Sequence, residues 1–335
     1  NKNYDSYKIT GVNYVNAKGE LDTYRAVIKL SIPFYGRIEK PEDWQNVKAG
    51  TYQNFALVKD VDLSSYTGNS ANINISFNKL VGIDVTETDE ETGITTKRAP
   101  ILSGITRTGL TANSGVIDTI VSEIRNVSFK NINLTATKNR TGNYFGVIKF
   151  LNGSMKGSLN QATGEYQRMV FEDIYLDGQR VNYAGIIAYN KSPDIHYIEY
   201  KNVNVRGESY VGGLIGRSIC VDKTDIIGSK IYVYANYRYA GGLVGYENAN
   251  WSKTFTFDVD LNGVYIYAND RYAGGAYGYG SGRNITITGT KDPIELENTH
   301  ASATYADTKF TFLINSETTN TYNYVYSKYY YTGGV

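Results

Sequence analysis

The chain has 335 residues, with 34 Lys+Arg against 33 Asp+Glu, a net charge of +1. That balance excludes the basic footprint of a nucleic-acid binder, and no run of 18 apolar residues is present to cross a membrane as a helix. Hydrophobic residues at 41% are enough to bury a core, 2 His, 1 Cys and 2 Met leave little for a metal or thiol site, and 32 Tyr stand out against 11 Phe and 2 Trp.

Residues 1–48 read as a small β unit. Residues 7–15 and 23–32 alternate, and Asn16-Ala17-Lys18-Gly19-Glu20 supplies a turn. Residues 36–51 hold Pro41 and several charges and read as a connection. Such a unit caps the open end of a sheet, where unpaired edges need protection. Residues 84–100 form an acidic, Thr-rich insertion with Asp84, Glu87, Asp89, Glu90 and Glu91 ahead of Lys97-Arg98. Oxygen ligands at that spacing suit Ca²⁺, but the Asp-x-Asp-x-Asp-Gly order is missing, so a solvated loop is expected.

From residue 144 one unit recurs: Tyr, a small or apolar residue, one or two Gly, then apolar residues. It reads Tyr144-Phe145-Gly146-Val147-Ile148, Tyr183-Ala184-Gly185-Ile186-Ile187 and Tyr210-Val211-Gly212-Gly213-Leu214-Ile215-Gly216. Tyr239-Ala240-Gly241-Gly242-Leu243-Val244-Gly245 and Tyr272-Ala273-Gly274-Gly275-Ala276-Tyr277-Gly278 follow, and Tyr331-Thr332-Gly333-Gly334-Val335 begins a sixth. The Tyr-to-Tyr steps are 39, 27, 29, 33 and 59 residues, so a degenerate copy is expected near Tyr305-Ala306. The sixth copy breaks off at Val335, which leads us to expect further domains of the same polypeptide.

A short alternating strand precedes each unit: Ile132-Asn133-Leu134, Ile174-Tyr175-Leu176, Val203-Asn204-Val205, Ile231-Tyr232-Val233 and Val264-Tyr265-Ile266. Period two puts the aliphatics on one face. Loops of a few residues leave no room for helical crossovers. The pattern predicts an all-β chain: a right-handed parallel β-helix, or β-solenoid, over 49–335. Gly146, Gly185, Gly212, Gly213, Gly216, Gly241, Gly242, Gly245, Gly274 and Gly275 are its structural repeat positions. They supply positive φ, or room against the next coil.

Gly213-Leu214-Ile215-Gly216 and Gly242-Leu243-Val244-Gly245 match the Gly-Leu-apolar-Gly pattern of GLUG-motif β-helix repeat proteins. The lead-in through Glu42-Asp43-Trp44 and residues 52–63, and a first coil over 115–132, also resemble that group. Over residues 40–335 the chain is similar to the non-catalytic β-helical region of immunoglobulin A-specific zinc metallopeptidases and related bacterial surface proteins. The resemblance implies a β-helix and a secreted or cell-surface setting. It does not carry peptidase activity over: those enzymes hold a His-Glu-x-x-His helix in a separate domain, and here His196 and His300 lie 104 residues apart in no such motif.

Independent chemistry is sparse. β-Helices also host polysaccharide-cleaving enzymes, whose sites need converging carboxylates. The candidates are Asp173, Asp177, Glu199, Glu208, Asp222, Asp225, Asp258 and Asp260, of which the last two lie on one strand face. Each also reads as an ordinary surface charge. His196 alternates with apolar residues and reads as a surface-face strand histidine. Gly278-Tyr279-Gly280-Ser281-Gly282-Arg283 lacks the Lys-Ser/Thr and helix of a phosphate loop and reads as a solenoid turn. Cys220 stands alone and reads as a buried apolar residue. Eight Asn-x-Ser/Thr sequons (Asn74, Asn126, Asn133, Asn139, Asn152, Asn190, Asn250, Asn284) fit chance in so Asn-rich a chain.

Tyrosine carries the binding hypothesis. Tyr232, Tyr234, Tyr239, Tyr265, Tyr267 and Tyr272, with Arg238 and Arg271 just before the motif tyrosines, are expected to recur at about 4.8 Å along the stack. Two readings stand: a self-stacking ladder that stiffens the rod, or a stripe that binds a host glycan or host protein. The expected protein is a non-catalytic, secreted or cell-surface module, a stalk or adhesin-like scaffold without cofactor, metal or nucleic acid. The rivals are a polysaccharide-cleaving enzyme and a fibre or tail-spike subunit.

Overall fold

Alternating aliphatic strands bury one face only if another layer covers it, and here each strand is covered by the far wall of its own coil. The computed structural model describes residues 12–15, 18, 21–24, 36–48, 53–66, 70–137, 141–159, 164, 166–192, 194–219, 222–248, 257–280, 285–288, 311–312, 323–328 and 330–333. Of the described strands, 25 join one hydrogen-bonded sheet wound into a parallel β-helix.

Three walls make each coil. On the first, Ile101–Leu110, Ser128–Ala136, Met169–Asp177, Asp194–Gly207, Asp222–Ala235 and Phe257–Ala268 follow one another, each parallel to the next. On the second, Thr141–Leu151 pairs with Arg180–Ala184 and Ile187–Asn190, and then come the pairs Tyr210–Gly212 with Ile215–Ile219 and Arg238–Gly241 with Val244–Asn248. The third runs through Gln53–Leu57, Ile75–Gly82, the end of Ser114–Arg125, Ser154–Lys156 and the start of Asp194–Gly207.

Register turns the alternation into ladders. Ile105, Ile132, Ile174, Val203, Ile231 and Val264 stack in one buried row, and Leu134, Leu176, Val205, Val233, Ile266 and Val325 in another. Phe129 and Phe171 stack inside with ring centroids 5.1 Å apart and planes 6° apart. Every coil covers the aliphatics of the one beneath, so stability is shared between neighbours.

One corner repeats with unusual regularity. Gly104, Asn131, Asp173, Asn202, Lys230 and Gly263 occupy one register position in six successive coils, and all have positive φ between 51° and 75°. The left-handed backbone bends the strand there without breaking the parallel ladder on either side. Gly suits it best, and Asn and Asp tolerate it. Asn202 Nδ2 also donates to Asp173 Oδ1 at 2.7 Å across coils.

The N-terminal end differs in part from expectation. Val12–Val15 does pair antiparallel with Leu21–Tyr24 as a hairpin. The segment read as a connection, however, begins the stack. Gly36–Ile38 pairs parallel with Gln53–Leu57, and the one-turn helix Pro41–Gln45 buries Trp44 in the common core. The parallel sheet thus starts ahead of residue 49. Pro41 occupies the first helical turn, where its missing N–H costs nothing, and Trp44 Nε1 donates to Asn72 O at 3.0 Å. The acidic insertion is a hairpin of Val85–Thr88 against Thr95–Arg98, clasped to the rod by Arg98 bridging Asp60 and Glu87.

Candidate binding surface

The motif tyrosines occupy one register position after a turn, so the parallel fold stacks them. Tyr144, Tyr183, Tyr210, Tyr239 and Tyr272 form a column with successive centroid distances of 5.1, 4.9, 5.2 and 4.9 Å. Their planes lie 5° to 16° apart. The separation follows from the spacing between strands. Burial pushes the phenols of Tyr144 and Tyr239 up in pKa.

A second column runs beside the first on the strand that follows the corner. Phe150, Tyr189, Arg217, Tyr246 and Tyr279 are paired in register. Its rings stand tilted or edge-on to the first column, as in Tyr144–Phe150 at 4.4 Å and 58° and Tyr239–Tyr246 at 5.2 Å and 72°. The two columns therefore interlock as a herringbone, the arrangement that ring quadrupoles favour. Only Tyr279 of this column was singled out in the sequence. The signal was available: an aromatic residue sits six or seven positions after the motif tyrosine in four of the five copies.

Arg217 replaces a ring in that column. Its guanidinium carbon lies 5.4 Å from the Tyr189 ring centre and 5.8 Å from that of Tyr246, and Nη1 donates to the Tyr183 hydroxyl at 3.2 Å. A planar cation fills the gap between two rings without losing the stack.

Of the remaining predicted residues, the tyrosines form further columns on the first wall, and Arg238 and Arg271 pair at the start of second-wall strands. Tyr232 stacks on Tyr265 at 5.1 Å and Tyr234 on Tyr267 at 4.9 Å. Arg206 lies over the Tyr234 ring at 5.3 Å. Arg238 covers Tyr237 at 4.9 Å and Tyr239 at 5.3 Å. Arg271 lies 6.0 Å from the Tyr237 ring, and its Nε donates to Asp270 at 2.8 Å. The predicted stripe is thus several parallel columns. In the motif column the interior rings of Tyr183, Tyr210 and Tyr239 have both faces covered by their neighbours. What a half-buried tyrosine offers a ligand here is its edge and hydroxyl, and face stacking on a sugar is left to column ends.

The motif glycines act by close approach. None of the ten has positive φ; that conformation falls on Tyr239 at 63° and Tyr272 at 64°. A Cβ on Gly213 would sit 2.2 Å from Gly242 O, and one on Gly242 would sit 2.2 Å from Gly275 O. Successive coils touch through a glycine column, and the strained backbone is carried by Tyr239 and Tyr272.

Among the candidate carboxylates, Asp173, Asp177, Glu208 and Asp225 serve their own turns and neighbours. Asp177 accepts from the Gln179 backbone N–H at 3.1 Å, Asp225 pairs with Arg168 at 2.5 Å, and Glu208 accepts from Asn236 at 3.3 Å. Asp260 is exposed, and so is the loop carboxylate Asp89, which accepts from the backbone of Thr92 and Glu91. His196 Nε2 lies 3.8 Å from Asp194 on the surface. Among the described residues no group of three or more His, Cys, Asp or Glu gathers. The side chains of Asp222, Asp258, His300 and Tyr331, along with Cys220 and Tyr305, lie outside the described residues. Two sequon asparagines are buried, Asn126 at 3% and Asn190 at 0% exposure, which keeps them from a glycosyl donor in the folded chain.

No family model, no curated protein and no solved structure matches this chain.

Proposed function

We propose that this chain is a non-catalytic β-helical module of a secreted or cell-surface protein, a stiff rod that presents a tyrosine- and arginine-rich face to a partner. The interlocked columns of Tyr144–Tyr272 and Phe150–Tyr279 carry the reading. They tie five successive coils together from outside while the aliphatic ladders tie them from inside. A rod clamped on both sides resists bending, which is what a stalk or presenting arm needs. The motif resemblance to GLUG-type surface proteins supports the extracellular setting. Asp177, Asp225 and Glu208, each held by a structural partner, give less support to the polysaccharide-cleaving alternative.

The test is a glycan and host-protein array probed with the chain and with a Tyr239→Ser/Tyr272→Ser variant. Specific binding that the variant loses is the expected result. Binding that survives unchanged moves the partner site off these columns. Turnover of any arrayed glycan would overturn the non-catalytic reading.

A further inference from the structure

Among the described residues, three cations on the herringbone face have no matching anion. Lys191 Nζ lies 5.3 Å from the Tyr189 ring centre, Arg217 sits between Tyr189 and Tyr246, and Arg238 lies over Tyr239. They belong to three successive coils, about 4.8 Å apart per coil along the axis, and are offset across the face. Arg217 lies in the second column, Lys191 two residues past the column position of its own coil, Tyr189, and Arg238 just ahead of the motif tyrosine. Lys149 and Arg271, on the flanking coils, are neutralised by Asp118 and Asp270. Lys191, Arg217 and Arg238 have no such carboxylate among the described residues, and Arg238 Nε is buried without an acceptor.

We propose that Lys191, Arg217 and Arg238 form a docking site for a linear acidic polysaccharide lying obliquely across the herringbone face. Its carboxylate or sulfate groups meet the three cations, and its hydroxyls meet the phenol edges between them. This inference rests on the reading of the rod as a binder and narrows its partner. Charge complementarity selects an anion. The covered ring faces argue against single-stranded nucleic acid, which needs open aromatic platforms for its bases. An acidic peptide in extended form binds best along a free sheet edge, and this face presents side chains. A hydroxyl-rich polyanion uses both features of the face.

The test is affinity electrophoresis of the full chain through gels holding alginate, dextran sulfate or neutral dextran. The wild type is expected to be retarded by alginate, dextran sulfate or both, less so as salt rises, and not by dextran. Alginate and dextran sulfate separate carboxylate from sulfate recognition. Arg217→Gln is expected to weaken the retardation about tenfold, the loss typical of one charge-assisted contact. Arg217 also holds the Tyr183 hydroxyl, so Lys191→Gln/Arg238→Gln, which spares that bond, decides the matter if Arg217→Gln melts early. Retardation unchanged in both variants, or equal in neutral dextran, overturns the proposal. Tyrosine-dependent binding of a neutral glycan or a protein, with no retardation by either polyanion, overturns it too and leaves the scaffold reading standing.

Discussion

Lys223 Nζ lies 2.7 Å from Glu247 Oε1, and neither side chain retains any exposure. The pair sits inside the coil beside a polar row. Asn190, Ser218 and Glu247 are paired in register, and Asn190 Nδ2 donates to Ser218 Oγ at 3.2 Å. The Lys223 ammonium lies 5.9 Å from the Tyr277 ring centre. Glu247 Oε2 is buried with no hydrogen-bond partner among the described residues. Two charges have left water, and Glu247 Oε2 gains no hydrogen bond among the described residues to offset that cost, so the pair contributes little net stability.

Removing one partner is a different matter, because it strands the other charge. Glu247→Ala is expected to cost about 3–5 kcal/mol. The double variant Lys223→Met/Glu247→Leu is expected to match or exceed the wild type. Urea unfolding of the wild type, the single and the double variant measures both. A double variant as damaged as the single one would show that the ion pair itself holds the corner.

Gly242→Val tests the glycine column. The new Cβ meets Gly275 O at 2.2 Å, and backbone that belongs to the next coil has no free rotor with which to yield. The expected loss is about 1–3 kcal/mol, read as a lowered melting midpoint. An unchanged midpoint contradicts the close approach of the coils.

The left-handed corner makes an opposite prediction. Lys230 holds φ at 51° where the flanking coil has Gly263, and a lysine pays for that conformation while glycine does not. Lys230→Gly is expected to leave stability unchanged or raise it by up to about 1 kcal/mol, the folded-state gain being partly cancelled by unfolded-chain entropy. Lys230→Val is expected to lower it, since a β-branched side chain fits φ > 0 worst. If valine is tolerated as well as glycine, the corner does not constrain the chain.

These corners mark how far the sequence was legible. Ile132, Ile174, Val203, Ile231 and Val264 announced a parallel stack through period two, and the structure joins them in one buried row. The left-handed column was written just before them, in Lys130-Asn131, Glu172-Asp173, Lys201-Asn202, Ser229-Lys230 and Asn262-Gly263, but Lys230 hides it from a search for Gly and Asn. The motif glycines were visible, while their reason was not: close approach and positive φ call for the same residue, and only the backbone separates them. The second aromatic column was missed because Arg217 breaks its chemistry though not its stacking. Gly36–Ile38 was missed because three residues are too short to show a period.

Alkaline pH should unfasten the tyrosines in a defined order. Burial, then the neighbouring Tyr265, pushes Tyr232 up to about 12 from an ordinary 10.0. Burial and the stacked Tyr166 push Tyr197 to about 12 as well. Tyr200 is raised well above the usual value by burial alone, and its hydroxyl donates to Gly242 O at 3.1 Å. Below about pH 10 these phenols are neutral in both folded and unfolded chains, so their contribution is fully present. Above it the unfolded chain loses protons first, and stability falls as pH rises from about 10 towards and beyond about 12. Phenolate absorbance followed alongside circular dichroism should show the buried Tyr200 phenol ionising only as the fold is lost. Tyr200→Phe should remove that late phenol and cost about 1 kcal/mol for the missing hydrogen bond. Complete titration near pH 10 with the β-signal intact would mean that these hydroxyls reach solvent and that the coil interior is open at Tyr200.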